Sequence, residues 1–150
     1  MQYTVEIDID LPRSRVIELF DSTENLYMWQ KGLQRFESIS GEPGQPGAKS
    51  KMVYKMGKRN MELVETITKR DLPDEFHCTY ETKGVFNVVT NRFSEAGPDK
   101  TRWESENEFR FSGFMKVIGL LMKGAFPKQS LQYMQDFKAF AEDGKDVRES

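Results

Sequence analysis

Few residues in this chain have the type and setting to do chemistry, and Glu65 is the first of them. It stands in the series Met61, Leu63, Glu65, Ile67, whose other members are apolar. A strand sends alternate side chains to one face, so this spacing sets a carboxylate among hydrophobic neighbours. Burial there disfavours the charged form, which suits a general acid or base. A bulge or a one-residue slip would turn the same side chain to solvent. Tyr54, Tyr80 and Tyr133 are the hydroxyls best placed to orient a ligand, since tyrosine buries its ring and keeps a polar tip. Plain packing is the simpler account of each.

Four small polar residues follow the same alternation. Asn87 and Asn91 share a face with Val85, Val89 and Phe93, while Ser105 and Asn107 share one with Trp103, Phe109 and Phe111. Buried amides and hydroxyls need hydrogen-bond partners. Water or the polar head of a ligand would supply them, and so would bonds to one another or to the backbone. His77, the only histidine, alternates away from Phe76 and Cys78 and reads as outward. A single histidine excludes a two-His-one-carboxylate iron site within the chain, and Cys78 pointing away from His77 does not make a nucleophilic triad. There is no phosphate-binding glycine loop and no zinc spacing, so neither metal nor cofactor is expected.

Strands must position these residues. Residues 2–10 alternate Tyr3, Val5, Ile7 and Ile9 against polar partners, and 12–21 then switch to helical spacing behind Pro12. Ser22 or Thr23 opens a second short helix that runs to about Gln30 and turns Leu26, Tyr27 and Trp29 inward. Six strands follow over 33–41, 48–56, 59–71, 75–83, 85–94 and 101–112, separated by turns rich in glycine and proline. Met52, Tyr54 and Met56 are expected on one face of the second of these. Short loops make sequential strands antiparallel neighbours.

The last third, 113–141, holds the long helical pattern. Val117, Ile118 and Leu121 precede Pro127, and Leu131, Met134, Phe137 and Phe140 follow it. Proline breaks a helix interior, so two segments are expected, 113–124 and 127–142, bent over a curved sheet or forming a movable lid.

Composition narrows the function. The chain has 150 residues, one domain's worth, with a net charge of −2 and a pI near 5.6, so no basic surface advertises nucleic acid. Basic residues near one hairpin, Lys49, Lys51, Lys55, Lys58 and Arg59, read as a solvated face. Cys78 is the only cysteine, and no internal disulfide can form. The N-terminus lacks a signal-peptide pattern, and the longest apolar stretch, 114–126, carries Lys116 and Lys123 and is shorter than the ~20 residues of a membrane span. A soluble, cytoplasmic protein without stable membrane insertion is expected, as a monomer or homodimer.

The order strand, two short helices, six strands and long helix resembles the helix-grip superfamily. That superfamily (SRPBCC) includes START lipid-transfer domains, the birch pollen allergen and bacterial polyketide cyclase/dehydrase-like proteins. The segments that carry the resemblance are the first strand, PRSRVIELF at 12–20, MWQKGL at 28–33, the turn GQPGA at 44–48 and the closing helix. The resemblance implies an α+β fold over the whole chain: a seven-stranded curved antiparallel sheet wrapping the C-terminal helix, with an apolar cavity between them.

The cavity is expected to be lined by Trp29, Tyr54, Met56, Leu63, Glu65 and Tyr80, then by Asn87, Val89, Asn91, Trp103, Ser105, Asn107 and Phe109. Val117, Leu121 and Met134 would close it from the helix, with the void between Trp103, Asn91 and Leu121. Binding or transport of an apolar small molecule, such as a lipid, isoprenoid, quinone or polyketide, is the simplest reading. The alternatives are a cyclase or dehydratase in which Glu65 or a tyrosine moves protons, and a membrane-touching module using 114–126 with Lys116, Lys123 and Lys128 at the headgroups.

Overall fold

The computed structural model describes residues 1–149. Its strands are β1 (Gln2–Ile9), β2 (Leu33–Ser40), β3 (Lys49–Met56), β4 (Arg59–Asp71), β5 (Glu75–Thr82), β6 (Val85–Gly97) and β7 (Lys100–Phe111). They form one antiparallel sheet in the order β1-β7-β6-β5-β4-β3-β2. Every strand from β2 onward therefore pairs with the next in sequence, and β1 closes the set beside β7. Two helices, α1 (Arg13–Phe20) and α2 (Thr23–Trp29), fill the passage from β1 to β2. Ser22 caps α2: its Oγ accepts the Asn25 N–H at 3.2 Å, satisfying a donor that the first turn leaves free.

The C-terminal helices are α3 (Met115–Leu121) and α4 (Ala125–Asp143). The interruption lies at Met122–Gly124 and not at Pro127, which corrects the expected break. Pro127 sits in the first turn of α4, where backbone N–H groups have no intrahelical acceptor to lose, so it is accommodated without a kink. Gly144, at φ 69°, ends α4 in the left-handed conformation, with its N–H bonded to Phe140 O at 2.9 Å.

α4 is fastened lengthwise along β1. Tyr3 Oη meets Ser130 Oγ at 2.6 Å near one end, while at the other Lys138 Nζ donates to Asp8 O at 2.6 Å and Glu142 accepts the Asp10 N–H at 2.8 Å. Beneath its second half lies the main core. Phe137 is fully buried among Phe20, Trp29 and Trp103, with ring centroids 6.1, 5.1 and 5.4 Å away. Ile9, Val16, Phe93 and Met134 complete the cluster.

The turn before β2 rests on Gly32. Its φ is +89°, and a Cβ there would lie 2.7 Å from the Lys55 carbonyl oxygen, a backbone atom that cannot move aside. Gly57 is also left-handed (φ +64°) but has open space around it. Gly32→Ala is therefore expected to cost roughly 3 kcal/mol and Gly57→Ala only about 1–2 kcal/mol, the conformational share alone. Urea midpoints of the two variants test this, and equal losses would show that the contact with Lys55 contributes nothing.

Candidate functional site

One row of paired residues crosses the helix-facing side of the sheet: Ser50, Glu65, Tyr80, Asn87 and Phe109, each the direct register partner of the next. Because cross-strand partners share a face, strands far apart in sequence deliver polar groups to one line. The β4 bulge falls between Ile67 and Lys69, beyond Glu65, so it leaves the carboxylate on the inner side. Glu65 is 9% exposed, and Tyr80 Oη donates to its Oε2 at 2.8 Å. Burial pushes the Glu65 carboxyl above its ordinary value, and the bond from Tyr80 pulls part of the way back. Tyr80 itself is pushed well up, by burial first and the Glu65 charge next. Cys78, fully buried on the same strand, is also raised, chiefly by burial. A thiol held in its neutral form is a poor nucleophile.

Beside this row Tyr54 Oη donates to Gln30 Oε1, tying β3 to the end of α2. Burial raises Tyr54 well above the usual phenol value, helped by Tyr133 of α4 and by Glu65. The remaining inner polar residues bond mostly to one another. Trp103 Nε1 donates to Asn91 Oδ1 at 2.9 Å, Asn107 Nδ2 to Ser105 Oγ at 3.0 Å, and Asn87 Nδ2 to Glu108 O at 3.1 Å. Of the two accounts open for these residues, mutual and backbone bonding is the one the side chains adopt.

Several expected cavity residues lie elsewhere. Val117 and Leu121 of α3 are exposed, because α3 is a separate helix that faces the sheet through other residues. Met56 is exposed as well: it ends β3 at the hairpin turn, beyond the cover of any helix. Trp29, Trp103 and Met134 are buried members of the main aromatic cluster. Rings of Phe20, Phe93 and Phe137 occupy the region beside Trp103, and Leu121 is far from enclosing it. Leu121 therefore does not close the void expected with Trp103 and Asn91.

The inner face loosens toward the α3 end. Leu63, Asn87 and Phe109 are only half-buried there, whereas Tyr54, Glu65, Val89, Asn91, Ser105 and Asn107 are buried. Phe126, at the start of α4, packs on Phe109 and Phe111 with centroids at 4.8 and 5.6 Å. An open cleft lies across this end of the sheet, lined by Thr82, Val85 and Phe111 from the inner face and by Glu81, Phe86 and Arg110 from the outer.

Two participants escaped the sequence reading. Ser50 was within reach, since it alternates with Met52 and Tyr54. Gln30 gave no signal, because its bond to Tyr54 joins segments that only the fold brings together. His77 lies on the outer side with Nε2 3.3 Å from Glu75, away from the Glu65 row. Among the described residues no three His, Cys, Asp or Glu side chains group as metal ligands, and no helix is long and apolar enough to cross a membrane.

This architecture is the helix-grip fold, and the comparisons agree. No protein-family model matches the chain, and no curated protein matches it in sequence. Solved structures do match. A conserved protein from Geobacillus kaustophilus superposes with a TM-score of 0.77 at 14% identity, covering 97% of both chains. Ara h 8.0201 gives 0.74 at 11% identity over 94% of this chain and 97% of its own. Norcoclaurine synthase from Thalictrum flavum, in complex with dopamine and hydroxybenzaldehyde, gives 0.70 at 13% identity over 93% and 84%. At these identities the likeness establishes the shared fold alone.

Proposed function

We propose that the chain binds an apolar small molecule carrying one polar group, held against the inner face of the sheet between the Glu65–Tyr80 pair and the half-buried Phe109. The observation that carries this reading is the change along one face. Its Trp103 end is a closed cluster of buried aromatic and apolar side chains, while its Glu65–Asn87–Phe109 end combines polar groups with apolar side chains left partly uncovered. Convergent polar groups set in an apolar wall fix the orientation of a ligand whose affinity comes from apolar burial. Norcoclaurine synthase, which shares the fold, is known in complex with two small aromatic molecules, in keeping with a ligand of that size.

Native mass spectrometry of freshly purified protein is expected to show a co-purifying small mass that Leu63→Arg removes. A chain that is always empty, and that fails to enhance the fluorescence of anilinonaphthalene sulfonate, would count against the proposal. The raised Glu65 carboxyl supports a second reading, an enzyme of the cyclase or dehydratase type in which Glu65 transfers a proton. Glu65→Gln separates the two. Turnover is lost under the enzyme reading, while ligand capture is retained under both.

A further inference from the structure

The outward side of α3 carries large apolar residues that nothing in the fold covers. Phe114 is 74% exposed, Leu120 75% and Leu121 80%, with Val117 and Met122 about half exposed beside them. The other side of the helix is seated. A Cβ on Gly119 would lie 2.7 Å from the Phe111 ring, and Met115 presses on Gly84 closely enough that a Cβ there would meet it at 2.7 Å. Rotating α3 to bury Leu120 and Leu121 would break both contacts. A contiguous apolar patch of this kind marks a surface that meets another phase or partner.

Charge decides which. In a chain of net charge −2, residues 111–135 contain no aspartate or glutamate and carry Lys116, Lys123 and Lys128. Nearby turns at the same end of the sheet add Lys58 and Lys83, with one acid, Glu81, close to the latter. A second copy of the chain is a poor occupant, because a twofold contact through α3 would set these cations against themselves. An anionic lipid surface fits both properties: apolar side chains enter the boundary of the acyl region while lysines remain among the headgroups.

We infer that α3 is a peripheral docking element for anionic lipid bilayers, lying in the interface without spanning it. This goes beyond the ligand proposal and does not depend on it, since empty protein and ligand-free vesicles suffice for the test.

The experiment is co-sedimentation of the full chain with phosphatidylcholine vesicles, with and without phosphatidylserine. The wild-type chain is expected to bind the serine-containing vesicles at least tenfold more tightly, given that each lysine near an anionic surface contributes roughly fivefold. Leu120→Asp combined with Leu121→Asp should abolish binding to both kinds of vesicle. Lys116→Glu combined with Lys123→Glu should reduce binding to the level seen on phosphatidylcholine alone. Both pairs lie on the exposed surface, so thermal unfolding should be unchanged, and that control guards against misfolding. The inference is overturned if the wild-type chain stays in the supernatant, if it does not distinguish the two vesicles, or if either double variant binds as the wild type does. It is equally overturned if light scattering finds a concentration-dependent dimer that the leucine variant dissolves.

Discussion

Phe137→Ala is expected to destabilise the fold by about 3–5 kcal/mol, much of the stability of a domain this size. The side chain is fully buried and touches rings contributed by α1, α2, β7 and α4 itself. Four elements share that one contact point, so none can move in alone to fill the space a truncation leaves. The loss has two parts, the transfer of the ring to water and the unfilled cavity. Chemical denaturation should show a lower midpoint with little change in slope. A loss below about 1 kcal/mol would mean that the aromatic cluster relaxes freely and that α4 is held mainly by its polar ties to β1.

Tyr80→Phe is the second, and its effect is expected to depend on pH. The hydroxyl's bond to Glu65 is worth about 1 kcal/mol when the carboxyl is neutral and about 1.5–3 kcal/mol when it is ionised. In the wild type, burial sets the folded-state pKa of Glu65 above its unfolded value. A raised carboxyl favours folding fully below the unfolded pKa, and that contribution is lost as pH rises through the folded pKa. Without Tyr80 the carboxyl rises further, so the loss continues to higher pH. The gap between wild type and variant should therefore be small in acid and widen toward neutrality. Glu65→Gln removes the titrating group, and in that background Tyr80→Phe should cost the same at every pH. Urea unfolding of the four chains across pH makes the comparison. A gap that narrows as pH rises would show that Glu65 and Tyr80 are not coupled as their geometry requires.

These two predictions draw on opposite ends of one sheet face, and the ends differ in how well the sequence exposed them. Alternation in Tyr3 to Ile9, in Met61 to Ile67 and in Trp103 to Phe111 is a local property of extended backbone, so it named the inner side of these strands; β2, whose register shifts between Leu33 and Arg35, gave no such signal. Alternation also placed Glu65 inward, because the β4 bulge comes after it. Local pattern could not say where cover stops. Met56 continues the alternation of Met52 and Tyr54 but extends past the last residue any helix shields. Val117 and Leu121 keep helical spacing with the α4 residues, yet the break at Met122–Gly124 frees α3 to present a different side. Pro127 drew the eye to the wrong place, since its effect depends on whether it falls inside a helix or in the first turn.

From residue order alone came the element sequence, the antiparallel sheet, the resemblance to the helix-grip fold and the short list of polar residues on its inner face. Each rests on periodicity or turn chemistry, which act over a few neighbouring residues. Only the tertiary structure decided that rings from four elements meet around Trp103, that Tyr80 reaches Glu65, and that α3 leaves its leucines in water. Those outcomes are set by contacts between segments tens of residues apart, where chain geometry and close packing, and not local spacing, choose which side chains meet.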